Sequence, residues 1–321
     1  MDYNLPWVEK YRPSNLDDVI GQENIIKSLK NMLDNGSLPH LLFYGSSGVG
    51  KTTIINALLD YYYGKKKKLM TIKLDASDDR GINTVREEIK SFAEKKAFYP
   101  KMLKVIILDE ADSMTFDAQF ALRRIIEKYS STTRFCLICN YDNKIIKAIK
   151  SRCVEFKFRP LSKNHIIDRL QYIIKNEKIK FPKTTLDVIY KVSNGDLRRA
   201  INLLQSLSLQ SRVTKNICYK LMGYPTETDI KNIYKYLTDT KLSVSKKNSN
   251  IKKIILDNGY SLNSILTELI DYVIKMKDEV NSANIFIEMS KLECYVGKTT
   301  FNEIYISYLI SIFHKKNLLS V

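Results

Sequence analysis

The first half of the chain alternates short β-rich runs with longer segments of helical periodicity. The candidate strands occupy residues 41–44, 69–74, 105–108, 134–139 and 154–158, and helical segments separate them at about 50–62, 82–95, 117–129 and 143–149. Runs that are apolar throughout, and do not alternate with polar residues, are typical of strands buried on both faces of a parallel sheet. This half of the chain is therefore predicted to form a three-layer α/β domain.

After Pro160 only helical periodicity remains. Ser162 is placed to cap a helix with an apolar stripe, which starts at the next residue. The pair Asn194-Gly195 is a left-handed stop signal for a second helix, and Asp196 can cap the helix that follows. These signals predict a small helical domain behind the α/β domain.

A third helical block begins near residue 223 and continues to the end of the chain. Two polar segments are expected to be loops: the Lys/Ser/Asn stretch at 240–250 and the lysine run at 65–68. The predicted domains are an α/β core at 1–160, a small helical domain at 161–222 and a C-terminal helical domain at 223–321.

Composition places the chain among ordered globular proteins, with 44% hydrophobic and 27% charged residues. The charge balance is less ordinary, because 52 Lys+Arg face 35 Asp+Glu and the formal net charge is +17. Such a balance favours a polyanionic partner such as nucleic acid. A lysine-rich surface without a partner has the same balance, so charge alone leaves both interpretations open.

The five cysteines do not suggest a disulfide framework, because their number is odd and no secretory signal opens the chain. A reducing compartment is expected. Cys136 and Cys139 have CxxC spacing but lie inside a predicted strand, with no second ligand pair at zinc spacing, so we expect them to pack in the core. No apolar run approaches the roughly 18 residues that a membrane span requires.

A phosphate-binding loop is predicted at residues 45–52. Their sequence, Gly-Ser-Ser-Gly-Val-Gly-Lys-Thr, fits GxxxxGK[ST] and lies between a predicted strand and a predicted helix. In that setting the glycines let backbone N–H groups converge on phosphate oxygens, Lys51 reaches the β- and γ-phosphates, and Thr52 offers a hydroxyl to Mg²⁺. The alternative is a glycine-rich turn that ends in Lys-Thr by chance.

Two carboxylates follow the apolar run at 105–108. Asp109 suits the shell of a Mg²⁺ ion, and Glu110, on the other side of the strand, can orient or deprotonate an attacking water. A switch that only binds a nucleotide could do without Glu110. Together with the phosphate loop, the pair therefore predicts hydrolysis of a nucleoside triphosphate.

Four further segments accompany the phosphate loop: Trp-Val-Glu-Lys-Tyr-Arg-Pro at 7–13, Asp-Glu-Ala-Asp at 109–112, Ser-Arg-Cys at 151–153 and Gly-Asp-Leu-Arg at 195–198. Over nearly the whole chain this order resembles the small subunits of replication factor C, a sliding-clamp loader among the AAA+ ATPases. Ser46 and Ser47 depart from the prolines that are more common in that family, but the glycines of the loop are intact. The resemblance implies a RecA-like AAA+ core, a helical lid and a C-terminal all-α collar.

The resemblance also implies roles for residues outside the loop. Asn140 would polarise the attacking water, and Arg198 would contact the γ-phosphate of the subunit's own ATP. Arg152 would be an arginine finger for the ATP of a neighbouring subunit. The residues expected to contact the nucleotide are Val8, Tyr11, Arg12, Ile20, Gly45, Ser46, Ser47, Gly48, Val49, Gly50, Lys51, Thr52, Thr53, Asn140 and Arg198. From the residues alone, Val8 and Ile20 could equally be core positions, Asn140 a turn residue and Arg152 a surface arginine.

The partners that the resemblance implies are other clamp-loader subunits in a pentamer, a ring-shaped sliding clamp and primer-template DNA. No association with a membrane is expected. The residues expected to follow DNA phosphates are Arg80, Arg86, Lys144 and Lys147. The aromatic residues expected near the clamp are Phe92, Phe98 and Tyr99. The alternatives are a solvated helix face for the basic set and core packing for the aromatic set. The expected location is the nucleus in a eukaryotic host, and otherwise the cytoplasm or a viral replication site.

The predicted function is that of an ATP-dependent subunit that loads a polymerase clamp onto primer-template DNA. Another DNA-acting AAA+ ATPase, such as a helicase loader or a Holliday-junction motor, should lack the opening Trp-Val-Glu-Lys-Tyr-Arg-Pro segment and the Ser-Arg-Cys triplet. A non-hydrolysing scaffold subunit that contributes only an arginine finger should lack some of the groups that are intact here: Lys51, Thr52, Asp109 and Glu110.

Overall fold

The computed structural model describes residues 5–76, 82–95, 102–210, 213–276, 282–296 and 303–318. The chain divides into two compact units. The first combines Met1–Lys180 with Ser193–Gln205, and the second combines Phe181–Val192 with Ser206–Val321. The predicted three-domain division, with boundaries after residues 160 and 222, stays a prediction.

A five-stranded parallel sheet organises the first unit. Its strands are β1 (His40–Tyr44), β2 (Thr71–Asp75), β3 (Lys104–Asp109), β4 (Thr133–Cys139) and β5 (Cys153–Lys157). Their spatial order is β2-β3-β4-β1-β5, and every neighbouring pair is parallel. The central strands β3, β4 and β1 are almost entirely buried, as their apolar sequences predict.

In chain order the helices of this part of the chain are α1 (Trp7–Lys10), α2 (Glu23–Asp34), α3 (Lys51–Tyr63), α4 (Lys67–Met70), α5 (Ile82–Glu94), α6 (Phe116–Tyr129), α7 (Lys147–Lys150) and α8 (Lys163–Asn176). Helices α2, α3 and α4 pack on one face of the sheet, and α5, α6 and α7 pack on the other. The side chains of β4 point alternately to the two faces of the sheet, so they pack in two different layers. Cys136 packs with residues of α2 and α3, whereas Cys139 packs with residues of α5 and α6. The three-layer α/β prediction and the core placement of both cysteines are confirmed.

The remaining helices are α9 (Lys183–Ser193), α10 (Leu197–Ser208), α11 (Lys215–Leu221), α12 (Glu227–Thr238), α13 (Val244–Asn258), α14 (Leu262–Lys275), α15 (Ser282–Val296) and α16 (Glu303–Leu318). The predicted caps are confirmed. Ser162 Oγ accepts from the N–H of His165 at 3.4 Å, and Asp196 Oδ1 accepts from the N–H of Arg199 at 3.0 Å. Asn194 and Gly195 both have positive φ, of 49° and 80°, where the chain turns between α9 and α10.

Both segments expected to be loops are helical in part, so those predictions are wrong. Residues 244–250 form the first turns of α13, which Ser243 caps through the N–H of Lys246. Asn248 and Asn250 are half-buried and the other polar side chains are exposed, except that Lys247 is buried and its Nζ donates to the carbonyl of Leu237 at 3.1 Å. The lysine run at 65–68 continues α3 as a 3-10 turn and then α4, and β2 begins at Thr71 instead of residue 69.

The second unit contains an apolar core built from α12 to α16. A buried polar network also lies in this unit. The carboxylate of Glu268 accepts from Lys191 Nζ at 2.6 Å and from the hydroxyl of Tyr224 at 2.8 Å. A buried carboxylate requires such partners, since leaving it unpaired would cost several kcal/mol, of the order of 3 to 5. Within the described residues no helix is both long and apolar enough to cross a membrane.

We predict that His40 makes the stability of the first unit depend on pH. Burial lowers the pKa of His40 from 6.5 to about 4, and nearby Arg134 adds to the effect. Because the unfolded chain takes up the proton first as the pH falls, His40 stabilises the fold above pH 6.5. This stabilisation is lost as the pH approaches 4. The side chain is partly exposed, so we expect a loss of about 1 kcal/mol between pH 7 and pH 5.

The variant His40→Asn tests this expectation. Nδ1 of His40 accepts from the N–H of Phe135 at 3.2 Å, and an asparagine oxygen can replace that acceptor without titrating. Urea unfolding at pH 7 and pH 5 should show a smaller loss in free energy of unfolding for the variant. An equal loss in both proteins would show that His40 does not cause the dependence.

Candidate nucleotide-binding site

The ends of three parallel strands bring the predicted site residues together. The carboxyl ends of parallel strands share one edge of a sheet, where ligands of α/β proteins bind. The phosphate loop follows β1, Asp109 ends β3 and Asn140 follows β4. These segments surround one cavity. Most of the residues that the sequence predicted for the nucleotide site line it. They are Val8, Tyr11, Arg12, Ile20, Ser47, Gly48, Val49, Gly50, Lys51, Thr52, Thr53, Asp109, Glu110, Asn140 and Arg198.

The glycines of the loop meet specific steric demands. Gly48 has a φ of 68°, and a Cβ built there would lie 1.7 Å from Oδ1 of Asp196. The N–H of Leu197 donates to the Gly48 carbonyl at 3.2 Å, so the start of α10 packs directly on the loop. Gly50 has a φ of 98° and leads into α3. Together these residues present backbone at the N-terminus of a 13-residue helix, which suits a polyanion.

Lys51 is a buried cation that joins two strand ends. Its Nζ donates to the carbonyls of Gly45 and Ser46 at 2.6 and 2.7 Å, and to Oδ1 of Asn140 at 2.8 Å. Burial lowers the pKa of Lys51, and the nearby Cys139, Asp109 and Asp112 act in the opposite direction. Gly45 and Ser46 therefore contribute carbonyls that hold the lysine, although they do not line the cavity.

Thr52 and Asp109 supply the oxygen ligands that Mg²⁺ prefers. The hydroxyl of Thr52 donates to Oδ2 of Asp109 at 3.1 Å, and both side chains face the cavity. A hydroxyl and a carboxylate beside a phosphate cradle fit an ion that is held by few protein ligands and by substrate phosphates. Lys73 of β2 also contacts this carboxylate, with Nζ 2.9 Å from Oδ2.

Glu110 has an unusual backbone conformation. Its φ and ψ are 53° and 38°, in the left-handed region that few non-glycine residues adopt. The Glu110 carbonyl accepts from both the N–H and the hydroxyl of Ser113, at 2.9 and 2.7 Å, which holds this turn. The side chain is exposed and lines the cavity, so it is placed to act on a water there.

Asn140 is positioned by a residue that has no role in the sequence prediction. Oδ2 of Asp112 accepts from the N–H groups of Asn140 and Tyr141, at 3.2 and 3.1 Å. This contact holds the end of β4 against the turn that follows β3. The Asp-Glu-Ala-Asp segment was the available signal, but only the fold shows that its last carboxylate meets the next strand.

The lining of the cavity also contains residues that the predicted nucleotide set did not include. These are Pro13, Asp18, Val19, Leu161, Arg169, Leu197 and Ile201. Arg169 of α8 donates to the carbonyl of Tyr11 at 2.5 Å, and the Tyr11 hydroxyl donates to Glu177 at 2.6 Å. Burial and the bond to Glu177 raise the pKa of Tyr11. In the sequence Arg169 is indistinguishable from a surface arginine of an amphipathic helix.

The two predicted catalytic arginines lie in different places. Arg198, in the first turn of α10, is exposed and lines the cavity. Arg152 does not line it, and its guanidinium donates to the Ala148 carbonyl at 2.6 Å and to Ser151 Oγ at 3.2 Å. It also forms an ion pair with Glu127 of α6.

The residues expected to contact DNA are described only in part. Lys144 and Lys147 are exposed, and the ammonium of Lys144 lies 5.2 Å from the centre of the Tyr141 ring. Arg80 and the side chain of Arg86 lie outside the described residues, as do Phe98 and Tyr99. The ring of Phe92 is partly buried against the core of the first unit.

Comparison with known proteins assigns three segments of the chain to families. Residues 41–161 match the ATPase family associated with various cellular activities, and residues 168–209 match the RCF1/5-like AAA+ ATPase lid domain. Residues 225–311 match the replication factor C C-terminal domain. The chain belongs to the replication factor C small-subunit family.

Relatives in distant organisms support this assignment. Replication factor C subunit 5 of Homo sapiens is 40% identical over 97% of this chain and 92% of that protein. The probable replication factor C subunit 5 of Dictyostelium discoideum is 42% identical over 97% of this chain and 90% of that protein. The replication factor C small subunit of Aeropyrum pernix is 42% identical over 85% of each chain. Membership in the AAA+ ATPases of DNA replication is thereby confirmed.

A solved structure shows the same fold. The Thermotoga maritima RuvB Holliday junction branch migration motor aligns with a TM-score of 0.54, over 80% of this chain and 91% of that chain. Sequence identity is 17%, so the likeness shows the AAA+ fold alone. The predicted fold class is confirmed.

Proposed function

We propose that this chain is an ATP-dependent subunit of a sliding-clamp loader, which opens a ring-shaped clamp and places it on primer-template DNA. The observation that carries the proposal is the convergence of Lys51, Asp109, Glu110 and Asn140 on one cavity in a member of the replication factor C family. The partners proposed are four further subunits in a pentamer, the clamp and DNA.

The chain's own residues divide the work of ATP hydrolysis. The loop amides and Lys51 bind the β- and γ-phosphates, and Thr52 and Asp109 would hold Mg²⁺. The bound ion would neutralise part of the charge on the phosphate oxygens. Glu110 accepts a proton from the attacking water, and the amide of Asn140 orients that water. Arg198 contacts the γ-phosphate from the lid side, so that α10 responds to the nucleotide.

The position of Arg152 supports a role in a neighbouring subunit. Its guanidinium is held by Ala148 and Glu127 and lies outside the lining of its own cavity. A residue that must stabilise charge on a γ-phosphate needs to approach it directly. An arginine finger supplied to the next subunit of an assembly meets this requirement.

The first test separates nucleotide binding from hydrolysis. Lys51→Ala should abolish ATP binding, because it removes a buried cation that joins the loop to Asn140. Glu110→Gln should retain binding and lower the hydrolysis rate by about 100-fold or more, because a general base is lost. ATP binding and single-turnover hydrolysis are measured for both variants, with the exposed strand residue Glu155→Gln as control. Parental hydrolysis in Glu110→Gln would contradict the general-base assignment, whereas a parent that binds ATP without hydrolysing it would favour a scaffold subunit.

The second test locates the action of Arg152. In an assembly where this subunit alone carries Arg152→Ala, its own site should bind and hydrolyse ATP normally. The adjacent site should slow by about 10³-fold or more. Arg199→Ala, an exposed arginine of α10 outside the lining of the cavity, is the control. A defect confined to the subunit's own site would contradict the proposed role in trans.

The third test concerns DNA. If Lys144 and Lys147 contact phosphates, each alanine substitution should lower the slope of log K against log salt by about 0.7 to 0.9, whatever the DNA sequence. Primer-template affinity is titrated against salt with clamp and a non-hydrolysable ATP analogue present. Lys253→Ala, an exposed lysine of α13, is the matched control. An unchanged slope would mean that these lysines form a solvated surface only.

A further inference from the structure

Lys73 forms an ion pair with a residue of the proposed Mg²⁺ site. It lies in β2, an edge strand of the sheet, and its Nζ is 2.9 Å from Oδ2 of Asp109. The same oxygen accepts from the hydroxyl of Thr52 at 3.1 Å. The other oxygen, Oδ1, accepts from the N–H of Glu110 at 3.2 Å. Every oxygen of this carboxylate therefore has a partner, and Lys73 contributes the only full positive charge among these three partners.

The sheet register explains why the two side chains meet. Lys73 is opposite Ile107, two residues before Asp109 on the neighbouring strand. Side chains two residues apart share a face of a strand, so Ile107 and Asp109 point to the side on which Ile107 packs with α3. Thr52 is in α3. The geometry thus places Lys73, Asp109 and Thr52 on one side of the sheet.

We propose that Lys73 is a positioning residue that competes with Mg²⁺ for Asp109 and so lowers the Mg²⁺ affinity of the nucleotide site. This inference rests on the proposed function, because it needs ATP and Mg²⁺ at this cavity. An ammonium and a metal ion that share one carboxylate repel each other, so each weakens the binding of the other.

The exposure of the two side chains allows such an exchange. The side chain of Asp109 is 18% exposed, whereas that of Lys73 is 47% exposed. The flexible lysine can therefore withdraw into water while the carboxylate stays in place. Lys73 does not line the cavity, so its effect reaches the nucleotide through Asp109 and the ion.

A charge series at position 73 tests the proposal. The variants are Lys73→Arg, Lys73→Met and Lys73→Glu, and Lys68→Met provides the same loss of charge at an exposed position in α4. Binding of a fluorescent ATP analogue to the full chain is titrated with MgCl₂, and the half-saturating Mg²⁺ concentration is read for each variant. A parallel titration of the analogue in EDTA gives nucleotide affinity without the metal.

The half-saturating Mg²⁺ concentration should decrease as the side chain at position 73 becomes less positive. It should stay near the parental value in Lys73→Arg and Lys68→Met, and should fall about two- to fivefold in Lys73→Met and further in Lys73→Glu. Nucleotide affinity in EDTA should change less than twofold throughout. A merely structural lysine would not produce this order, because arginine and methionine both differ from lysine in shape, whereas only methionine and glutamate change the charge.

Two results would overturn the inference in different ways. If the parent binds the analogue but the half-saturating Mg²⁺ concentration is the same across the series, or changes equally in Lys73→Arg and Lys73→Met, Lys73 has no such role and the nucleotide site stands. If the parent does not bind the analogue at any Mg²⁺ concentration, the proposed function and this inference both fail.

Discussion

The buried ammonium of Lys51 is the constraint on which the candidate site depends. A charge with little access to water must be met by hydrogen-bond acceptors, and three are supplied by two segments that are far apart in sequence. Two are carbonyls of the loop after β1, and the third is the side chain of Asn140 after β4. The strand order, in which β1 and β4 are neighbours, is what makes this arrangement possible.

The sequence determined much of this arrangement because the signals were local. The strands, the helix that begins at Lys51 and the cap at Asp196 follow from neighbouring residues, and all of them appear in the structure. Residues 244–250 were wrongly predicted to form a loop because they are mostly polar. They lack the apolar stripe that usually marks a helix, since few of their positions are buried. A single buried lysine, Lys247, gives that segment its inner face.

The residues that sequence reasoning missed act through contacts between distant segments. Asp112 holds Asn140 through backbone amides, Arg169 holds Tyr11 through a carbonyl, and Lys73 contacts Asp109 from another strand. No spacing rule relates these partners, since each pair is brought together by sheet order or by the packing of α8 on the N-terminal segment. Gly48 is a different case. The sequence motif predicts a glycine there, but only the structure shows the steric reason, which is the nearby carboxylate of Asp196.

Helix α6 and the turn before it hold the stretch from Asn140, the proposed water-orienting residue, to Arg152, which the proposal assigns to a neighbouring site. Gln119, near its start, donates to the Lys144 carbonyl at 2.9 Å and accepts from the N–H of Ile146 at 2.9 Å. Glu127, near its end, pairs with Arg152. Asp112, in the turn before α6, accepts from the N–H of Asn140. The stretch from Asn140 to Arg152 is therefore fixed at both ends and in its middle by residues of the same subunit. In the proposed assembly, the position of each finger would then be set by the subunit that carries it, and its contact with the neighbouring ATP would depend on how the two subunits are oriented.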